Sequence, residues 1–195
     1  MSRNVAILLF DEVEVLDFAG PFEIFSVAGR RSEGEPPFNV YTVAQKAGPV
    51  SARNHLIVTP HYTIDDCPPP DIIVIPGGYG SRAAMRSPAI LAWVKRQHEL
   101  TELTLSVCTG ALVLATAGLL DGLQSTTHFS SYDLLGELAP KTSVIRGVRY
   151  VDNGKVITSA GVQAGMDMAL HVVARLLGDE AAGETAHYIE YDWQP

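Results

Sequence analysis

The sequence is poor in cysteine, in basic residues and in long apolar runs. Only two cysteines, Cys67 and Cys108, occur in 195 residues, which excludes a disulfide framework and gives no metal-ligand spacing. Lys and Arg number 14 against 22 Asp and Glu, for a formal net charge of −8. This balance argues against a nucleic-acid surface and a polybasic membrane contact. We therefore expect a small-molecule substrate, and no metal, nucleic-acid or membrane partner.

No apolar stretch approaches the ~20 residues that a membrane-spanning helix requires. The N-terminal segment MSRNVAILLF also lacks the pattern of a secretory leader. The chain is accordingly predicted to be cytoplasmic, with Cys108 as a free thiol. Because 47% of the residues are hydrophobic and 18% are charged, we expect a single compact domain over residues 1–195.

Short β-type runs alternate with helical patterns along the chain. Strands are predicted at Asn4–Phe10, Phe38–Ala44, Asp71–Ile75, Leu103–Val107 and Lys155–Ser159. Helices are predicted at Pro21–Ala28, Ala89–His98, Cys108–Leu119 and Ala164–Leu177. This alternation predicts an α/β fold with a mainly parallel sheet that is covered on both faces. The segment Ala47–Asp65 is predicted to form a small β insertion.

Cys108 lies where the apolar run LTLSV ends and a helical pattern begins. A sharp turn at this junction lifts the side chain above the sheet, as in the nucleophile elbow of hydrolase folds, and strains the backbone. The start of a helix also stabilises a thiolate and lowers the pKa of the thiol. From position alone, a buried structural cysteine is an equally good interpretation.

A glycine-rich segment, PGGYG, follows the predicted strand DIIVI. At the carboxyl end of a parallel strand, the amide groups of Gly77 and Gly78 could face a substrate anion and form an oxyanion hole. Tyr79 belongs to the same loop and is a candidate for substrate contact. A plain glycine-rich turn is the alternative interpretation.

The first predicted strand is followed by the acidic segment DEVEVLDFAG. Because Gly20 and Pro21 are typical of a helix start, Asp17 is expected in the loop before that helix, where a capping or turn role is the ordinary explanation. The carboxyl ends of parallel strands meet at one edge of a sheet. We therefore expect Asp17, Cys108 and the Gly77–Gly78 turn to share one cleft.

Five segments in this order resemble the ThiJ/PfpI superfamily over essentially the whole chain. They read ILLFDEVEVLDFAGPFEIF, VIPGGYG, SVCTGALVLATAGLLDG, TTHF and TSAGVQAGMDMALHVVARLLG. The resemblance implies a flavodoxin-like three-layer sandwich, related to class I glutamine amidotransferases. By its match to TTHF, His128 is a candidate to lie near the thiol, although a histidine satisfied by the backbone of a loop is an equally good interpretation.

Within that superfamily, the combination of Asp17 with Cys108 and Thr109 is similar to isonitrile hydratases, which are lyases. This resemblance implies attack of the Cys108 thiolate on the terminal isonitrile carbon, followed by hydration to an N-substituted formamide, without a cofactor. Asp17 would protonate the carbon and then activate water, while Thr109 would orient water or substrate, with Gly78 as a further donor.

Two other functions remain open from the same resemblance. One is a glyoxalase-like or deglycase-like activity on reactive carbonyls that uses Cys108, Asp17 and His128. The other is a non-catalytic sensor, similar to the sensor-like domains of AraC-type regulators, whose cysteine oxidises. Peptidase-like members have His where Thr109 stands, so protease activity is not expected. The apolar segment Phe22–Val27 predicts a homodimer that buries the helix after Asp17.

Overall fold

A computed structural model of the chain describes residues 2–29 and 34–194. The strands are β1 Arg3–Leu9, β2 Phe38–Ala44, β3 Val50–Ser51, β4 Ile57–Val58, β5 Tyr62–Thr63, β6 Ile72–Ile75, β7 Leu103–Ser106, β8 Gln124–Ser125, β9 Ser143–Val144, β10 Tyr150–Asp152 and β11 Val156–Ser159. The helices are α1 Val15–Val27, α2 Ser81–Ala84, α3 Pro88–Leu100, α4 Gly110–Thr116, α5 Tyr132–Leu138, α6 Ala164–Leu177 and α7 Asp179–Tyr188.

The central sheet, within those residues, has seven strands in the order β10-β11-β7-β6-β1-β2-β5. Every neighbouring pair is parallel except β10 and β11, which are antiparallel. Helices α1, α6 and α7 contact one another, and α4 contacts α2, α3 and α5. The two groups cover opposite faces of the sheet. The predicted three-layer α/β fold with a mainly parallel sheet is therefore confirmed.

The strands at the centre of the sheet are buried on both faces. All four residues of β6, Ile72–Ile75, have no exposed surface, and Val5–Leu8 of β1 are equally buried. A continuous apolar run of this kind suits a parallel sheet with helices on both sides. Because β1, β6 and β7 are parallel neighbours, their carboxyl ends lie along one edge of the sheet. The loops that follow these strands form the site described below.

Helix α1 differs from the sequence prediction. The predicted start of this helix, at Pro21 in the range Pro21–Ala28, is wrong. Helix α1 begins at Val15 and contains Pro21 in its interior. Gly20 does not open the helix; it lies where α1 crosses α6, and a Cβ atom there would lie 2.9 Å from Cγ of Met166. Asp17 is therefore in the first helical turn and not in a loop.

The predicted β insertion is present as the antiparallel pair β3–β4, followed by β5 at the edge of the main sheet. Helices α5 and α7 and the parallel pair β8–β9 were not predicted from the sequence. Among the described residues, no helix has both the length and the apolar character needed to cross a membrane.

Candidate active site

Cys108 occupies the sharp turn between β7 and α4. Its φ angle is +55°, in the left-handed region that non-glycine residues rarely adopt, and such a residue costs about 1–3 kcal/mol. Its N–H donates to the carbonyl of Ala160 over 3.1 Å, and its own carbonyl accepts the hydroxyl of Thr127 over 2.7 Å. The expected strained elbow is therefore confirmed, and these bonds hold it in place.

Asp17 reaches the elbow from α1 and is fully buried. Its Oδ2 accepts the N–H of Gly77 over 2.9 Å, whereas Oδ1 has no partner at normal hydrogen-bond geometry among the residues that the structure describes. The Cys108 thiol is close enough to act on the carboxyl as a hydrogen-bond donor. Burial nevertheless dominates and raises the pKa of Asp17 from 3.8 to about 7, since an ionised carboxylate is poorly solvated there.

The pKa of Cys108 contradicts the sequence-based expectation. Burial, with only 6% of the residue exposed, and then the nearby Asp17 carboxyl raise the pKa of the thiol to about 12. The N–H groups of Thr109 and Val162 donate to the sulfur and oppose this rise without overcoming it. Helix α4 is only seven residues long, so its dipole does not compensate for lost solvation. The thiol is therefore protonated near neutral pH.

The glycine turn connects Asp17 to Thr109. The N–H of Gly77 donates to Asp17, and the N–H of Gly78 donates to Oγ1 of Thr109 over 3.0 Å. Both amide groups donate to acceptors within the protein, so neither is free for a substrate oxyanion in this structure, and the oxyanion hole stays a prediction. A Cβ atom on Gly77 would lie 2.7 Å from Thr109 Oγ1 and 2.8 Å from Asp17 Oδ2. The turn is required by close packing around the Asp17–Cys108 pair.

Thr109 is almost fully buried directly behind the sulfur. Its Oγ1 lies 3.0 Å from the hydroxyl of Ser81 in addition to the N–H of Gly78. Its backbone N–H donates to the sulfur of Cys108. The side chain thus joins the glycine turn, helix α2 and the elbow into one hydrogen-bonded unit.

A cavity of about 210 Å³ opens above Cys108 and Thr109. Its walls come from the loops after β1, β3, β6, β7 and β11 and from the segment around His128. It is lined by Glu14, Arg53, Gly78, Tyr79, Arg82, Cys108, Thr109, His128, Ser130 and Val162. Asp17 and Gly77 were expected in the same cleft but are not among the lining residues; they adjoin it through their contacts with Cys108 and Thr109.

Tyr79 and His128, which the sequence indicated as candidates for substrate contact, both line this cavity. Tyr79 is 65% exposed, and the Arg53 guanidinium lies 4.2 Å from the centre of its ring. Nδ1 of His128 is hydrogen-bonded to Oγ of Ser130 over 2.8 Å, and its ring packs against Phe129. The His128 ring therefore forms a wall, and its Nδ1 is directed to Ser130.

Several lining residues were missed by sequence reasoning. Glu14, Arg53 and Arg82 bring charge to the cavity, and Val162 adopts a left-handed φ of +49° that is unusual for a β-branched residue. Arg82 follows PGGYG by two residues, and this position near a strand end was its only signal. Nothing in the local pattern marked Glu14, Arg53 or Val162.

A second cavity of about 420 Å³ lies at the ends of β1 and β2. It is larger, but its lining includes neither Cys108 nor Asp17, and Ser87 and Gln45 in its wall bond to each other over 3.0 Å. The smaller cavity is lined by the strained Cys108, and the Asp17 carboxyl with a raised pKa lies next to that cysteine. We therefore assign the candidate active site to the smaller one.

Comparison with known proteins agrees with this architecture. The chain is 34% identical over 194 residues to isonitrile hydratase of Pseudomonas putida. This alignment covers 98% of the chain and 79% of that enzyme. It is 29% identical over 182 residues to the HTH-type transcriptional regulator CdhR of Pseudomonas aeruginosa, covering 93% of this chain but 53% of the regulator. The chain thus matches an enzyme and about half of a regulator.

The fold comparison points in the same direction. The structure superposes on the crystal structure of a ThiJ/PfpI family protein from Pseudomonas syringae with a TM-score of 0.89 and 30% identity, over 100% of this chain and 77% of that one. The DJ-1/PfpI family model matches residues 3–175. The resemblance inferred from the sequence is confirmed, and the chain belongs to the DJ-1/PfpI family.

Proposed function

We propose that the protein is an isonitrile hydratase, in which Cys108 is the nucleophile and Asp17 is the proton-transfer group. The observation that carries this proposal is the buried Asp17 carboxyl, with its pKa raised to about 7, beside the protonated Cys108 thiol. Such a pair can hold one proton near neutral pH and move it between sulfur, carboxyl and substrate. The similarity to the Pseudomonas putida hydratase supports the same reaction.

The reaction balances with water as the co-reactant. Ionised Asp17 removes the thiol proton as the Cys108 sulfur forms a bond to the terminal isonitrile carbon. Asp17 then gives that proton to the same carbon, which yields a thioimidate. Next, Asp17 takes a proton from water as the oxygen attacks the thioimidate carbon, and the C–S bond breaks. That proton passes to the nitrogen, and the second proton of the attacking water passes to the sulfur, releasing the N-substituted formamide and the free thiol.

The remaining residues position the substrate in this mechanism. The N–H groups of Thr109 and Val162 stabilise negative charge on the sulfur as the thiol ionises. The hydroxyl of Thr109 holds the glycine turn against the elbow. Tyr79 and His128 both form part of the cavity wall. A cavity of about 210 Å³ suits a small isonitrile, since the pockets that bind drug-sized ligands measure about 300 Å³ or more.

The test is turnover of cyclohexyl isocyanide, with the formamide product measured by chromatography. Cys108→Ala should abolish formamide production, and Asp17→Asn should lower it by about 10²–10⁴-fold. Glu23→Gln is the matched control, because Glu23 is an exposed carboxyl on the same helix, and it should retain wild-type turnover. Full activity in Asp17→Asn, or none in the wild type, would contradict the proposal.

The alternatives predict different products in a parallel assay with methylglyoxal. Lactate formation, dependent on Cys108, would identify a glyoxalase-like enzyme. Turnover of neither compound, together with peroxide oxidation of Cys108, would identify a sensor. The match to the regulator favours testing this last reading. The homodimer, the cytoplasmic location and the absence of a cofactor stay predictions.

A further inference from the structure

Two arginines, Arg53 and Arg82, line the candidate cavity, and the proposed chemistry uses neither. Arg82 projects from α2 and lines the same cavity as Cys108 and Thr109. Its Nη1 donates to the carbonyl of Gly78 and the hydroxyl of Ser81, and its Nη2 donates to the hydroxyl of Ser131, each over 3.3 Å. These bonds place the guanidinium across the cavity, between the glycine turn and the segment after His128.

Arg82 keeps donors available for a ligand. A guanidinium carries five N–H donors, and the three bonds above are long and go to uncharged oxygens. Within residues 2–29 and 34–194, no carboxylate forms an ion pair with Arg82. Its Nε–H and one Nη2 hydrogen have no partner in that part of the chain. The planar group is thus pre-organised, and it can still donate two parallel hydrogen bonds.

The other charges of the cavity do not neutralise Arg82. Arg53 forms a 2.7 Å ion pair with Glu12, and Glu14 also acts on the same guanidinium. The carboxylates of Glu12 and Glu14 consequently act on Arg53. Arg82 instead contacts the Gly78 carbonyl and the hydroxyls of Ser81 and Ser131, and its charge has no counterion among the described residues.

We propose that Arg82 binds a carboxylate on the substrate, so that the enzyme prefers small anionic isonitriles. Arg82 contacts Gly78 and Ser81, and both of these contact Oγ1 of Thr109, the residue next to the nucleophile. An anion on Arg82 therefore lies in the same cavity as the sulfur, and the volume of about 210 Å³ favours a short spacer between carboxylate and isonitrile. The isonitrile group of this substrate is inferred from the proposed function. Its carboxylate is inferred from Arg82 alone.

Alkylation of the thiol tests the anion site independently of any turnover. Iodoacetate and iodoacetamide deliver the same CH₂ group to the sulfur with loss of iodide, and they differ in charge. All variants carry Cys67→Ser, so that Cys108 is the thiol measured. Arg82→Gln should lower the ratio of the iodoacetate to the iodoacetamide rate constant by about tenfold, the loss of one charge-assisted hydrogen bond.

The controls separate a local contact from general charge. Arg86→Gln removes an exposed arginine four residues away, outside the cavity lining, and should keep the wild-type ratio. Arg82→Lys keeps the charge without the planar fork and should give an intermediate ratio. The same ratio in wild type, Arg82→Gln and Arg86→Gln would overturn the anion site.

Turnover of a matched pair of isonitriles tests the substrate class. Wild-type kcat/KM should be higher for isocyanoacetate than for its methyl ester, and Arg82→Gln should reduce this preference about tenfold, mainly through KM for the acid. If wild type hydrates both compounds without preference, the substrate inference fails and the proposed function stands. If wild type hydrates neither of these compounds nor cyclohexyl isocyanide, the proposed function and its substrate class fail, and the alkylation ratio still decides whether Arg82 binds anions. If it hydrates cyclohexyl isocyanide alone, only the substrate inference fails.

Discussion

Replacement of Asp17 by Asn should stabilise the folded protein, and the gain should depend on pH. Asn has nearly the same shape and keeps an oxygen that can accept the Gly77 N–H, but it cannot ionise. The folded state holds the Asp17 proton with a pKa of about 7, whereas the ordinary value is 3.8. Folding therefore binds a proton between these two pH values, and the stability of the wild type falls as the pH rises through them.

The size of the effect follows from the two pKa values. A difference of about three units corresponds to about 4 kcal/mol, because each unit is worth about 1.4 kcal/mol. Below about pH 4 the carboxyl is protonated in both states, and the two proteins should be about equally stable. Above about pH 7 the buried carboxyl of the wild type is ionised, which lowers the unfolding free energy by the full amount. Asp17→Asn should then be more stable than the wild type by about 4 kcal/mol.

The measurement is urea unfolding of both proteins from pH 4 to pH 8, followed by circular dichroism. The relevant quantity is the difference between their unfolding free energies, since other titrating groups such as Asp152 contribute equally to both and cancel. In thermal scans at pH 8 the variant should melt about 10 °C higher. Glu23→Gln should show no such pH-dependent difference. A variant that is less stable than the wild type at pH 8, or a difference independent of pH, would refute the reasoning.

Three further predictions concern activity, packing and assembly. Isonitrile turnover should rise with pH through an apparent pKa of about 7, because ionised Asp17 must accept the thiol proton, and residual turnover in Asp17→Asn should lack that step. Gly77→Ala should cost about 1–3 kcal/mol and lower turnover, since its Cβ meets Thr109 and Asp17, whereas Gly183→Ala on α7 meets nothing within 4 Å and should be tolerated. Sedimentation velocity at micromolar concentration should show a dimer, and a monomer would contradict the expected α1 interface.

The elbow was predictable because its signal is local. The change from the strand pattern to the helix pattern at Cys108 marks a turn, and a turn between a buried strand and a buried helix allows few backbone conformations. The observed φ of +55° is the result. The glycines of PGGYG were also visible in the sequence, but their hydrogen-bond acceptors were not, because Asp17 and Thr109 lie 60 and 31 residues away from them.

The position and ionisation of Asp17 could not be predicted in the same way. Pro21 and Gly20 resemble a helix start, yet tertiary packing overrides that local preference, since α1 crosses α6 at Gly20 and continues through Pro21. The raised pKa depends on burial by several elements at once. Likewise, Glu14, Arg53 and Arg82 lie on three separate segments, and only the fold brings them to one cavity.

The raised pKa of both groups also changes which protonation state the site provides to a substrate. An isonitrile must gain a proton at the carbon that the sulfur attacks, so a site with a preformed thiolate and an ionised Asp17 has a nucleophile but no proton to give. Two acids with raised pKa values, about 7 and about 12, instead retain at least one proton between them across the neutral range. Because the same carboxyl can then activate the thiol, protonate the carbon and later deprotonate water, burial of Asp17 suits hydration better than the lowered thiol pKa that the sequence predicted.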